Sequence, residues 1–509
     1  MASFDSDRDR EIIPRWRSLD KTLRFKQLDS LERPRAIRDL GKDPVQKKLL
    51  DWQCHQSVGH ATDLLGTGIA LRETRNLVDA ANFVLDNDLR VSPWAHDLAI
   101  QVLQLSSATV QPMGLLRSPN KSDLWREVRI FRQMLRSEAK DAVTWAELSR
   151  IYACLGEESQ AKRCMTVSVQ LASSSRFILR SASRLWTHFD DPEHGYIQLI
   201  RSDRTRYDPW LLGAAIATSS LAQKGPPHVK DAWRMITSGR YSGGQITELA
   251  SALAMLESQN GRRKKAKRLF VKSLEDPNEN SLAQAAWAQR HRHVNVRLDH
   301  LYPKVPNTFE AKFWYCYQEG NWERSVEQCR QWSYDQPFSS RPYGLGSYVA
   351  GTALEDYDEC KIICERGLWA NPKDFTLLNN LAFAEINLGN LEKAQSSITK
   401  LEQMQLSRQE RVVVDATIGL WHFRSNMVPA GRKCYLRACS NARKLENEGL
   451  RRLLLGLATT FHAFEEVAVG NCGEQAIVLG AYDNLNLMTD PISKALKKRL
   501  DSLTKKKTN

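Results

Sequence analysis

The sequence predicts an all-α protein: a superhelical solenoid of stacked helix-turn-helix units, with degenerate helical pairs at both ends. Three observations predict it. Leu, Ala, Arg, Lys, Glu and Gln dominate the 509 residues, and all of them favour helix. Val, Ile and Thr do not fall into the alternating runs that half-buried strands need. A Gly, an Ala or other small residue five positions on, and an apolar residue four beyond that recur along the chain.

The unit is plain in WAELSRIYACLGEESQAKRCM, residues 145–165. Trp145, Leu148, Ser149 and Tyr152 share one helix face, and Gly156 closes that helix as a left-handed residue. Ala161 and Met165 lie one turn apart on the next helix. The spacing returns as Gly261–Ala266–Phe270, Gly320–Ser325–Cys329 and Gly389–Ala394–Ile398, and Pro337 and Pro372 lie 35 apart (372 − 337). This pattern resembles the tetratricopeptide repeat, whose signature is W-x2-L-G-x2-Y, then Ala, a bulky apolar residue and Pro, with a period of about 34. Ser149, Met165 and Ser173 depart from it.

The resemblance implies repeats at 142–175, 247–280, 306–340, 341–374 and 375–408, inside a solenoid spanning 123–445. A weaker repeat fits 411–444, with Trp421, Ala430 and Cys434 in its slots. The pattern is degenerate over 176–246, although RFILRSASRLWTHF and PWLLGAAIATSSLAQ still read as apolar-faced helices. A hairpin of this size cannot bury its apolar face alone, so stacking is required. Cys329, Cys360, Cys364 and Cys434 fall in packing slots, which reads them as small core residues and not as metal ligands.

The flanks read differently. Residues 1–48 form a charged, partly helical head with Pro14, Pro34 and Pro44. Residues 49–105 suggest helical pairs, and 106–122 a linker carrying Pro112, Gly114 and Pro119. Residues 446–509 suggest capping helices ending in a basic, unstructured KKKTN tail.

The charged N-terminus lacks a signal-peptide core and no run is apolar enough to span a membrane, so a cytoplasmic protein is expected. No phosphate-binding loop, nucleophile elbow or H-E-x-x-H motif occurs. The glycines of GLGSYVAG, 344–351, lie within a helix and suit close packing, not a dinucleotide. His291 and His293 point in different directions on a helix. Neither an enzyme nor a cofactor or metal site is expected.

The resemblance makes the inner face of each first helix a concave groove for a protein or peptide partner. That face carries Glu310, Trp314 and Tyr317, then Asn379, Phe383 and Asn387, then His422 and Phe423. Aromatics bury much area at low entropy cost, and Asn satisfies a bound backbone. The Lys and Asn of family members that grip a chain terminus are replaced here, so a chaperone's acidic tail is not the expected ligand. The expected role is a non-catalytic scaffold, adaptor or regulatory subunit. The net charge of +14 leans towards an acidic partner. GRRKKAKR supplies Arg262, Arg263, Lys264, Lys265, Lys267 and Arg268. The alternative function is a basic repeat protein that contacts nucleic acid, directly or within a nucleic-acid-processing complex.

Overall fold

The computed structural model describes residue 16 and residues 44–71, 77–87, 91, 93–106, 121–292, 294–302, 304–305, 307–470 and 474–508. Most of the predicted head and residues 107–120 of the predicted linker therefore lie outside the described residues. Among the described residues the chain is all-helical, with 25 α-helices and no strand.

Two compact units divide it. One spans Ser30–Ser118; the other joins Met1–Asp29 to Pro119–Asn509. The smaller unit holds α1 (Pro44–Cys54), α2 (Val58–Leu71), α3 (Val78–Asp86) and α4 (Pro93–Ser106). Its core mixes Trp52, Leu64, Leu65, Leu98 and Val102 with Ala61, Ala80, Ala81 and Ala99, whose small side chains bring the helices close.

The larger unit is a solenoid of tetratricopeptide-like hairpins. It opens with α5 (Lys121–Ser137), followed by α6 (Ala142–Cys154) with α7 (Glu158–Leu171), and α8 (Arg176–His188) with α9 (Pro192–Arg201). Next come α10 (Pro209–Leu221) with α11 (Val229–Thr237), and α12 (Gly243–Gln259) with α13 (Arg263–Ser273). After α14 (Glu279–Arg292) stand α15 (Phe309–Gln318) with α16 (Trp322–Asp335), α17 (Ser340–Thr352) with α18 (Tyr357–Ala370), and α19 (Phe375–Asn387) with α20 (Leu391–Glu402). The array ends with α21 (Arg408–Arg424) and α22 (Val428–Arg443), α23 (Glu448–Val469) and α24 (Glu474–Leu487), and α25 (Ile492–Thr508). Successive first helices touch, α17 with α19, α19 with α21 and α21 with α23, whereas successive second helices scarcely do. The first helices therefore form the inner row.

One left-handed residue closes each turn. Gly156, Gly261, Gly320 and Gly389 take φ of +76°, +74°, +70° and +81°. Five residues later Ala161, Ala266, Ser325 and Ala394 are fully buried, and Met165, Phe270, Cys329 and Ile398 fill the space beyond. Ser149, standing in for the small Gly, donates its hydroxyl to the Ala161 carbonyl at 2.7 Å.

The degenerate stretch 176–246 uses the same turn without glycine. Asp190, Gln223, Glu355 and Asn426 adopt φ of 56°, 53°, 57° and 61° in the hairpins that lack the Gly. Asp190 follows Gly156 by 34 residues (190 − 156), so this stretch keeps the period that its residue types conceal. Asn426 also corrects the register of the weaker repeat. Its small slot is Gly431, where an added Cβ would lie 2.4 Å from Phe423, and its bulky slot is buried Tyr435. Ala430 is only half-buried and Cys434 sits beside the slot. The one-residue difference follows from counting five from the left-handed residue.

Two further departures matter. After α14 the described residues form no second helix; an irregular segment buries Val294, Val296 and Leu298 and exposes Asn295 and Arg297 between them. The last helix continues through the expected unstructured tail to Thr508. It buries Ile492, Leu496 and Leu500 at helical spacing.

The beginning of the solenoid packs against its middle. Phe338, between α16 and α17, lies 5.6 Å from Trp16 and 5.2 Å from His188, with the Arg184 guanidinium over its ring at 5.0 Å. A Cβ on Gly156 would stand 2.5 Å from the Trp369 carbonyl oxygen at the end of α18.

Candidate partner surfaces

The predicted groove residues are brought together but are not open. Glu310 is buried and accepts from the Arg341 Nε at 3.1 Å. Trp314 is buried beneath the Arg290 guanidinium, 4.1 Å from its ring centre. Tyr317 is buried and donates its phenol to Asp490 Oδ1 at 2.6 Å. Burial pushes the Tyr317 phenol well up, assisted by charge from Tyr348 and Asp490. Asn379 accepts from the Thr417 hydroxyl at 2.9 Å, and Phe383 meets the Phe461 ring of α23 at 5.3 Å. Asn387 is half-buried and donates to the carbonyl of Phe383 at 2.9 Å. His422 is half-buried against Trp421, and burial lowers its pKa. Phe423 is buried against Tyr435.

The aromatic stripe expected to line the groove is thus covered by the chain itself. The rings face other parts of the chain: Trp314 lies under Arg290 of α14, Phe383 meets α23, and the segment leading into α25 returns to Tyr317. Asp490 organises that return. It accepts from Tyr317, pairs with Arg290 at 3.1 Å and caps α25 by accepting from the Ile492 N–H at 3.1 Å. Farther along α25, Arg499 pairs with Glu355 at 3.3 Å and lies over the Phe464 ring at 4.4 Å. Sequence reasoning missed Asp490, Arg290 and Arg499. No local signal joins an aspartate to a tyrosine 173 residues away (490 − 317).

The basic residues are placed otherwise. Arg262, Arg263, Lys264, Lys265, Lys267 and Arg268 are all exposed at the α12–α13 turn and on the outer side of α13. Arg262 pairs with Glu257 at 3.2 Å. Among the described residues the other five have no acidic partner within ion-pair distance. The helix holds its place through Ala266, Leu269, Phe270 and Ser273, all buried on the opposite side.

Other candidates resolve into packing. Gly346 of GLGSYVAG lies where a Cβ would be 3.0 Å from the Cys329 Cβ, so the glycine serves a close helix contact. Cys154, Cys164 and Cys439 are buried free thiols, and burial pushes each up to about 11. An apolar cavity lined by Phe383, Val412, Tyr435, Leu457 and Phe461 holds ≈ 20 Å³, space for about one water. Among the described residues no group of three His, Cys, Asp or Glu side chains is placed to hold a metal ion. The side chains of His291 and His293 lie outside the described residues. No described helix is long and apolar enough to cross a membrane.

No protein-family model and no curated protein matches the chain. Among solved structures, the human IFIT1 dimer with PPP-AAAA is similar at 13% identity and a TM-score of 0.32, covering 89% of this chain and 96% of that one. The APC/C hetero-tetramer Cut9–Hcn1 is similar at 10% identity and a TM-score of 0.31, covering 92% and 94%. Yeast Tom70 is similar at 12% identity and a TM-score of 0.30, covering 89% and 96%. With TM-scores this low the superpositions add nothing to what the helix pairing shows.

Proposed function

We propose that the chain is a non-catalytic tetratricopeptide-type scaffold that holds a helical protein segment against the inner row of α15–α21. The observation that supports this reading is α25 itself. Its buried apolar stripe, Ile492, Leu496 and Leu500, belongs to a helix that packs on α23 and α24, and polar contacts tie it to the inner row at two separated points, Asp490 to Tyr317 and Arg499 to Glu355. A site that takes an amphipathic helix with a carboxylate at its N-terminus is one that a partner's helix of like pattern enters by displacing α25. The packing-slot thiols suit a reducing, cytoplasmic setting.

The test uses a labelled synthetic peptide of residues 488–508, titrated against the full chain and against Asp490→Ala with Arg499→Ala. The double variant has a loosened α25 and is expected to bind the peptide more tightly than wild type, which must first release its own helix. Partners recovered by affinity purification should survive nuclease. If the variant fails to bind the peptide, or nuclease removes every partner, the reading fails. The second outcome would favour the alternative, contact with nucleic acid, that the net charge of +14 keeps in play.

A further inference from the structure

The outer face of α13 is electrostatically out of step with the rest of the solenoid. In the other hairpins the second helix usually carries an acid in its first turn: Glu158, Glu193, Asp231, Glu323, Asp358 with Glu359, and Glu392. An anion there meets the positive end of the helix dipole. α22 has no acid in its first turn, and Val428, Pro429, Ala430 and Gly431 carry no charge. Only α13 reverses the sign among these helices, with Arg263, Lys264 and Lys265 in the first turn and no acid. Arg263 with Lys267, and Lys264 with Arg268, also stand four apart on one helix, where like charges repel. Neither arrangement helps α13 fold; buried Ala266, Leu269 and Phe270 hold it in place against both.

We infer that this face binds an acidic polypeptide segment, whose carboxylates supply the charge that the helix lacks. Three features select a polypeptide over a nucleic-acid strand. The patch is short: Arg263 to Val271 spans about 12 Å at helical rise. Exposed Glu275 and Asp276 bound it at its C-terminal end, where they would repel a continuing line of phosphates. Within it Val271 stands 55% exposed, one turn beyond Lys267, an apolar foothold where stacking bases would need an aromatic ring. The fitting partner presents three or four Asp or Glu and one apolar side chain within about two helical turns. This surface is separate from the α25 site, so either reading can fail without the other.

The experiment titrates the full chain with a twelve-residue Asp/Glu peptide bearing two Leu, and with twelve-nucleotide single-stranded RNA and DNA. Lys264→Glu with Arg268→Glu is compared with the same charge change on the equivalent helix, Lys393→Glu with Lys400→Glu. The α13 variant should lose at least about tenfold in peptide affinity, and the α20 variant less than about twofold. The α13 variant should also melt no lower than wild type, because it removes the like-charge repulsion. Equal loss in both variants would reduce the effect to net charge and overturn the inference. So would RNA or DNA binding that is tighter than peptide binding and equally sensitive to the α13 change.

Discussion

Hairpins α12/α13 and α19/α20 are built to one plan and differ in what they show to solvent. Each turns on a left-handed glycine, Gly261 or Gly389, with nothing within 4 Å of where a Cβ would be. Each fully buries an alanine, Ala266 or Ala394, beneath a buried apolar residue, Phe270 or Ile398. Their second helices then part company: α20 opens with Glu392, α13 with Arg263, Lys264 and Lys265. The folding instructions sit in three small or apolar positions, and the outer residues are free of them. Charge that opposes the helix dipole on an otherwise standard hairpin therefore points to binding and not to stability.

The comparison breaks most readily at the alanines. Ala266→Leu and Ala394→Leu should each cost about 1–3 kcal/mol in urea denaturation, because both slots are closed. Similar costs are required if the hairpins are equivalent, and a wild-type midpoint in either variant would break the register. Gly261→Ala and Gly389→Ala should cost about 1 kcal/mol each, from backbone strain alone, since neither Cβ meets an obstacle. Gly156→Ala has the same strain plus the Trp369 carbonyl at 2.5 Å, and should exceed both. The smallest effects carry the contrast. Lys264→Glu should stabilise and Glu392→Lys destabilise, each by about 0.3 kcal/mol. Both shifts should fade as salt is raised to molar concentration. Equal signs at the two sites would remove the case for α13 as a strained surface.

Much of the fold was legible because glycine, alanine and an apolar residue at fixed spacing state a backbone requirement directly. Where Asp190, Gln223, Glu355 or Asn426 adopts the left-handed turn, that requirement is met by residues that carry no such signal. The stretch 176–246 therefore reads as degenerate, and sequence spacing alone puts the last motif on Ala430, one residue before Gly431. The basic patch was legible as an exposed feature because six cations cannot share a core. What covers the groove was not legible, for a different reason. Trp314, Tyr317 and Phe383 do lie on inner helices, but their covering partners, Asp490 and Phe461, come from distant sequence. Local periodicity shows which face is apolar and is silent about what lies on it.

The contact of Gly156 with Trp369, and of His188 with Phe338, has a consequence for how the chain comes into being. An open repeat array grows one unit at a time, each finished once its neighbour arrives. Here the surroundings of the α6/α7 turn stay incomplete until residue 370 has been synthesised. Its earliest hairpins must wait for later ones, with apolar surface uncovered meanwhile. Closing so distant a contact also slows folding, because its loop entropy is lost before the contact forms. In return the first hairpins are stapled from two sides, and fraying from that end of the array meets resistance that a linear stack lacks. Limited proteolysis of chains stopped after residue 335 should cut within α6–α9, at sites that the full chain protects.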